Sequence, residues 1–352
     1  MKHALKTSGF CIYLLCLLMS TNTIAQNIRP AIDALLEPDD RKPFNGVILV
    51  AQGTDTLYTE ARGYSNIAKR TPLQLSDQFI IGSVSKQITA TIVLMAYDRG
   101  ELDLHTPIHK YLPHLKQAWA DTVTVHHLLT HTNGIKEHGI DQPLAFAPGT
   151  KCQYSNTGYQ LLGEIAAAVS GKTFAELSTE LFRQCGMTRT FHPELKKHKH
   201  LVKSYLENSG GSIELVSGSE SLPTWIIPAG GFISTAGDLV KWNNELHNGR
   251  ILKPATYKLM TTRHENAVRM HPLFGRTMYG YGLAVGESEP VKLGHSGQLV
   301  GFCTINFYYP ATGTSIIVLD NVQLMPNDIK QSFDYQVKII DAVEKNGIVK
   351  KN

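Results

Sequence analysis

Strand-like sequence stands at both ends of this chain and helical sequence fills its middle, an order that leaves few ways to build a core. Asn45 to Gln52, containing Gly46-Val47-Ile48-Leu49-Val50, is an apolar run of strand length; Gly53-Thr54-Asp55-Thr56 reads as a turn and Leu57 to Tyr64 as its hairpin partner. From Ser83 to about Leu246 helical patterns dominate, broken at Pro107, Pro113, Pro148-Gly149 and a Gly/Ser-rich stretch from Ser209 to Ser221. Sheet patterns return from Gly280, at Tyr281 to Val285, Val291 to His295, Gly301 to Tyr309 and Thr314 to Leu319, before an amphipathic helix from Gln331 to Glu344. The expectation is an α+β fold in which N- and C-terminal strands close one antiparallel sheet. Helices flank that sheet, and an inserted helical lobe, roughly residues 84–246, leaves a ligand cleft at its boundary.

The first 25 residues read as a secretory signal peptide. Lys2 and Lys6 give a positive start, Phe10 to Met19 an apolar core, and Thr23-Ile24-Ala25 a small-residue cleavage site. The core is too short to span a bilayer, and no later segment is long enough without charges or turn residues, so no transmembrane anchor is expected after cleavage. Tyr13-Leu14-Leu15 before Cys16 lacks the small residue of a lipidation site. The exported part, residues 26–352, is expected to be a single domain, periplasmic or secreted. Its charge is nearly balanced: the formal +4 of the whole chain falls to +2 as Lys2 and Lys6 leave, which excludes a nucleic-acid binder. Of five cysteines, Cys152, Cys185 and Cys303 remain, and spacing does not choose between one disulfide and three thiols.

The chemistry concentrates in three short motifs. Ser83-Val84-Ser85-Lys86 follows Gly82 and precedes the helical pattern Ile88, Ile92, Val93, Leu94 and Met95, which Arg99-Gly100 ends. Residues three apart share a helix face, so Lys86 can reach the Ser83 oxygen where unpaired N-terminal amides favour negative charge. A serine hydroxyl needs a base, and a lysine is one only when neutral, which costs roughly 4 kcal/mol for a shift of about 3 pKa units that burial can supply. Tyr154-Ser155-Asn156 opens a second helix through Leu161, Leu162, Ile165, Ala166 and Val169, and His295-Ser296-Gly297 lies in strand-like sequence. Taken singly, Tyr154 is a loop aromatic, Asn156 an N-cap and His295 a strand-end polar residue; their joint order favours a catalytic set.

Ser-x-x-Lys, Tyr-x-Asn and a basic-hydroxyl-Gly triplet in that order resemble the penicillin-recognising serine hydrolases, the group of class C β-lactamases, DD-peptidases and related esterases. Leu128-Leu129-Thr130-His131-Thr132-Asn133-Gly134, Pro228 to Thr235 and Gly280-Tyr281-Gly282-Leu283 are similar to segments of the same group. The resemblance implies Ser83 as the acylated nucleophile, Lys86 as its base and Tyr154 as the proton relay to the leaving group. It further implies Asn156 orienting Lys86 and binding the substrate amide, and an oxyanion hole from the backbone amides of Ser83 and Gln298. Ser296 would donate to a substrate carboxylate, Gly297 would let the substrate lie against the strand, and His295, partly charged near neutrality, would anchor the carboxylate in a pH-dependent way. Cationic neighbours are expected to favour the ionised form of Tyr154. His295 stands where class C β-lactamases carry lysine, which tilts the substrate from antibiotics toward D-Ala-D-Ala-type peptides or small esters and amides; β-lactams remain a candidate.

No cofactor is called for. Gly294-His295-Ser296-Gly297-Gln298 misses the Gly-x-Ser-x-Gly elbow at its last position, and Gly171-Lys172-Thr173 lacks the glycine and strand of a phosphate loop. His127 and His131 stand four apart without an acidic ligand and read as structural, not as a metal site. A catalytically silent binding or regulatory protein on the same scaffold is the alternative, disfavoured because every member of the set is present.

Overall fold

The computed structural model describes residues 28–37, 43–195, 200–218, 221–299, 301–325 and 328–350. The signal peptide expected at residues 1–25 lies outside the described residues, as do Cys11 and Cys16.

Eight strands form the main sheet: β1 Gly46–Gln52, β2 Asp55–Arg62, β3 Val268–His271, β4 Gly275–Tyr279, β5 Ala284–Val285, β6 Leu293–Leu299, β7 Phe302–Tyr309 and β8 Thr314–Asp320. Their order is β2-β1-β8-β7-β6-β5-β4-β3, every named pair antiparallel, so the first and last strands of this sheet in chain order lie side by side with Gly46 opposite Asp320 and Gln52 opposite Thr314. The ends therefore close one sheet, as their apolar runs imply.

β8 is buried along its whole length because the sheet is covered on both faces, and the two-residue strand period divides its side chains. Ile316 and Val318 join Ile48, Val50, Ile305 and Phe307 beneath the terminal helices, residues 28–36 and Asp334–Lys345. Ile317 and Leu319 join Val47 and Ala51 under the helices of the middle. Those include α1 Ser85–Asp98, α2 Asn156–Ser170, α3 Phe174–Gln184 and α4 Ala236–His247. α1 buries eleven of its residues on nearly every face, as suits a helix at the centre of a layer.

Three features depart from the sequence expectation. The sheet resumes at Val268, two strands earlier than Gly280, because the polar Val-Arg-Met-His of β3 pairs only at the sheet edge and carries little apolar signal. Within the Gly/Ser-rich stretch, Ile213–Leu215 pairs with Tyr205–Asn208, which in turn pairs in parallel with Val322–Met325. Ser83 lies in a single 3-10 turn, Gly82–Val84, and α1 begins two residues later. Cys152, Cys185 and Cys303 are free thiols.

Candidate active site

The Ser83 turn is wedged between β6 and the head of α1. Gly82 takes a left-handed φ of 53°, and a Cβ there would stand 2.7 Å from the Gln298 amide nitrogen. A Cβ on Gly297 would meet the Ile81 carbonyl oxygen at 2.1 Å and the Ser83 nitrogen at 3.0 Å. Gly297 thus admits the chain's own nucleophile turn, not the substrate surface expected from sequence. The two backbones touch, and the Ser83 and Gln298 amides stand on either side of the contact.

Lys86, the second residue of α1 and one turn on from Ser83, is fully buried. Its Nζ lies 3.1 Å from Ser83 Oγ, 2.8 Å from Asn156 Oδ1 and 2.6 Å from the Ala229 carbonyl oxygen. Desolvation pushes its pKa well below the usual lysine value; Glu137 opposes that shift and the Arg269 charge reinforces it. The two carbonyl oxygens have no proton to give, so they take the two N–H bonds of a neutral amine and leave its lone pair for the Ser83 O–H. Ala229 belongs to a buried π-type turn, Ile227–Gly231, that bends against α1: Thr89 donates to the Pro228 oxygen at 2.6 Å, and the Phe232 amide donates to Ser85 Oγ at 3.2 Å.

Asn156 is the first residue of α2, which is capped by Ser155 accepting from the Gly158 amide at 2.9 Å. Glu137 holds this helix start from a loop, Oε2 accepting from the Asn156 amide at 2.9 Å, and thereby places a carboxylate beside Lys86. The Tyr154 ring faces Lys86 Nζ at 4.6 Å, and its hydroxyl is buried. The Ser83 hydroxyl is near enough to favour the ionised form of the phenol, yet no hydrogen bond to the Tyr154 hydroxyl is fully formed among the described residues. Burial raises the Tyr154 pKa and outweighs the lowering by Ser83 and Arg269, so the phenol is protonated, contrary to the ionised form expected.

His295 also differs from expectation. Its ring is buried, Nδ1 donating to the Ser296 carbonyl and Nε2 accepting from the Tyr279 hydroxyl at 2.8 Å. Desolvation, with Lys86 and Arg269 nearby, holds its pKa well below the ordinary histidine value, so it carries no charge near neutrality and both nitrogens are engaged within the protein. Ser296 is half-buried, and its Oγ accepts from His271 Nε2 at 3.0 Å; His271 Nδ1 is already taken by the Leu273 amide, so the serine keeps its own proton to donate.

Glu137, Ala229, Arg269, His271 and Tyr279 surround the site without belonging to any of the three motifs. Of the structural histidines, His127 closes a capping box with Thr124 on the short helix Val125–Leu129, while His131 lies beyond that helix with a φ of 61°, packed on Tyr154, Tyr159 and Tyr279. A cavity of about 700 Å³ between α1 and α3 lies elsewhere and is rimmed by the Arg99–Glu101 and Lys172–Glu180 pairs.

A hydroxyl, a buried amine with an available lone pair and two neighbouring backbone amides on an α+β scaffold define a serine hydrolase of the penicillin-recognising superfamily. The chain belongs to the beta-lactamase family, whose family model, described as Beta-lactamase, matches residues 30–333. It is 24% identical over 359 residues to penicillin-binding protein 4* of Bacillus subtilis (strain 168), covering 91% of this chain and 76% of that protein. It is 26% identical over 320 residues to Protein flp of Staphylococcus aureus (strain NCTC 8325 / PS 47), covering 83% of this chain and 62% of the longer relative. The fold is shared with the D-amino acid amidase of Ochrobactrum anthropi SV3, crystallised with D-phenylalanine: TM-score 0.77, 22% identity, 93% of this chain and 99% of that one. Among the described residues no helix is long and apolar enough to cross a membrane.

Proposed function

We propose that this chain is an exported hydrolase acting through an acyl-Ser83 intermediate on a D-Ala-D-Ala-type peptide, a β-lactam, or a small ester or amide. The observation that carries the reading is the Lys86 environment: a buried amine 3.1 Å from Ser83 Oγ whose other two partners are carbonyl oxygens. Lys86 takes the Ser83 proton as Oγ bonds to the substrate carbonyl carbon, and the Ser83 and Gln298 amides hold the oxyanion. As the carbonyl re-forms, the bond to the leaving group breaks and the leaving atom collects a proton through Tyr154, whose protonated phenol suits a donor better than a base. Water or an amine then attacks the ester carbonyl and returns the proton to Ser83. Asn156 fixes Lys86 and binds the substrate amide. Export rests on the charged start, short apolar core and small-residue cleavage site of residues 1–25.

The test is labelling of the purified protein with a fluorophosphonate and a fluorescent penicillin beside Ser83→Ala, followed by turnover of nitrocefin, a D-Ala-D-Ala tripeptide and p-nitrophenyl acetate. The wild type should take up at least one probe and turn over at least one substrate, and Ser83→Ala should lose several orders of magnitude in rate. A wild type inert to every probe and substrate ends the reading; acylation by nitrocefin without turnover favours a peptidase.

A further inference from the structure

Between the sheet and the helices of the middle lies a cluster of polar side chains that none of the three motifs contains and no reaction step uses. Gln87 follows Lys86 on α1, Trp242 and Asn243 sit on α4, Asn306 on β7 and Ser315 on β8, and all five are buried. Gln87 Oε1 accepts from the Trp242 indole nitrogen at 3.0 Å and from Asn306 Nδ2 at 3.3 Å. Asn243 and Asn306 exchange two hydrogen bonds, at 2.8 and 3.0 Å, and Asn243 also donates to Ser315 Oγ at 3.0 Å. Gln87 Nε2 has no partner among the described residues, so the side chain is held through its oxygen alone.

The cluster ties together two parts of the active site. Gln87 is next to the base, and Asn306 stands opposite His295 on β6, the strand that supplies the Gln298 amide. Apolar packing is non-directional and lets a helix slide over a sheet in small steps, whereas a hydrogen bond demands its own distance and angle. A slide or turn of α1 would take the shared acceptor from two buried donors, the Trp242 indole and one Asn306 N–H. Lys86 reaches Ser83 Oγ at 3.1 Å from α1 while the Ser83 turn rests on β6, so the same slide would part the base from the nucleophile.

We infer that Gln87, clamped by Asn306 and Trp242, is a positioning residue for this enzyme: it fixes the register of α1 against the sheet and thereby the reach of Lys86 to Ser83. It acts through Lys86 and takes no part in bonding to substrate. This rests on the acyl-Ser83 reading.

The test follows the rate at which a fluorophosphonate or a fluorescent penicillin, whichever marks the wild type, labels Ser83, read above the acid limb of each protein's pH profile and far below its unfolding temperature. Gln87→Leu keeps an apolar body and removes the acceptor; it should label at least about tenfold more slowly, the scale of a small misplacement of reacting groups. Gln87→Glu keeps the bonded oxygen and changes only the unpartnered nitrogen, so it should label at close to the wild-type rate. Asn244→Ala deletes another buried amide of α4, the donor to the Gly53 carbonyl at 2.8 Å, and should lower the unfolding temperature while leaving the labelling rate unchanged. Gln87→Leu labelling at the wild-type rate, Gln87→Glu labelling as slowly as Gln87→Leu, or Asn244→Ala slowed in step with its lost stability each overturns the positioning role and leaves the acyl-serine reading standing. If Gln87→Leu does not fold, Asn306→Ser, which removes the same bond from the sheet side, is read in its place; if neither folds, the cluster serves the fold alone and the positioning role is overturned. A wild type that neither probe marks loses both proposals.

Discussion

Gly82 and Gly297 interlock: each leaves out the side chain that would strike the other's strand or turn, and their contact brings the Ser83 and Gln298 amides together. Gly297→Ala places a methyl 2.1 Å from the Ile81 oxygen, so turn and strand must separate. Overpacking of this kind costs about 1–3 kcal/mol, and a displaced oxyanion donor costs about 10²–10³ in kcat. Ester hydrolysis and thermal unfolding should show both losses. Gly237→Ala on α4, where nothing lies within 4 Å, should show neither. Full activity in Gly297→Ala would remove the two-amide arrangement from the mechanism.

The acid side of the rate profile belongs to Lys86. Only the neutral amine accepts the Ser83 proton, so kcat/KM should rise with pH through the lowered Lys86 pKa and then level. Glu137 raises that pKa, so Glu137→Gln, which still accepts from the Asn156 amide, should move the acid limb to lower pH. Arg269 acts in the opposite sense, and Arg269→Gln should move the limb upward. Profiles of the three proteins on a substrate without an ionisable group check the sign; a Glu137→Gln limb shifted upward, or unmoved, contradicts it.

His295 should not impose a titration on substrate binding. Its pKa is held well below the ordinary value by burial, so KM for an anionic substrate should stay flat from pH 6 to pH 8, where an exposed histidine would lose its charge. Its contribution is structural: His295→Ala strips one hydrogen-bond partner from the buried Tyr279 hydroxyl, which also meets Tyr159, and should cost about 1–3 kcal/mol in unfolding free energy. A KM that climbs steadily across that range would mean a charged His295.

Local pattern made part of this site readable. Ser83 and Lys86 stand one helical turn apart, Asn156 begins an apolar period, and the end strands are continuous apolar runs, so each is written within a dozen residues. The remainder depends on tertiary contact. Glu137 reaches Asn156, 19 positions further along a loop, and Arg269 arrives from an edge strand whose polar sequence hides its pairing. Ala229 acts through a backbone carbonyl, to which residue type is indifferent. One signal was available: successive strand side chains alternate, so His295 and Ser296 cannot both face the same ligand, and the structure turns the first toward Tyr279 and the second toward His271. The protonated state of Tyr154 was hidden because neighbouring charge is visible in sequence order and burial is not.

A histidine cluster behind the site should make the fold acid-labile. The His126 ring lies 5.3 Å from His105, 5.7 Å from His127 and 5.2 Å from His264, and His264 stacks on Tyr281 at 4.4 Å. Burial, then repulsion from His264, His127 and His105, lowers the His126 pKa to about 4, and burial lowers those of His127 and His264 as well. In the unfolded chain these rings titrate near 6.5, so between about pH 6.5 and pH 4 the unfolded state binds more protons and folding stability rises with pH. The stability is therefore present above about pH 6.5 and lost as pH falls toward 4, with His126 accounting for on the order of 2 kcal/mol once its partial exposure is discounted. The cluster meets Tyr281-Gly282-Leu283 through the His126–Tyr281 hydrogen bond at 2.8 Å, and that segment packs closely on α1, where a Cβ on Gly282 would meet Ala90 Cβ at 2.6 Å. Denaturant unfolding at pH 7.5, 6 and 4.5 should show the decline, and His264→Phe, which keeps a ring against Tyr281 and deletes a charge, should flatten it. An equal slope in wild type and His264→Phe would place the acid sensitivity outside this cluster.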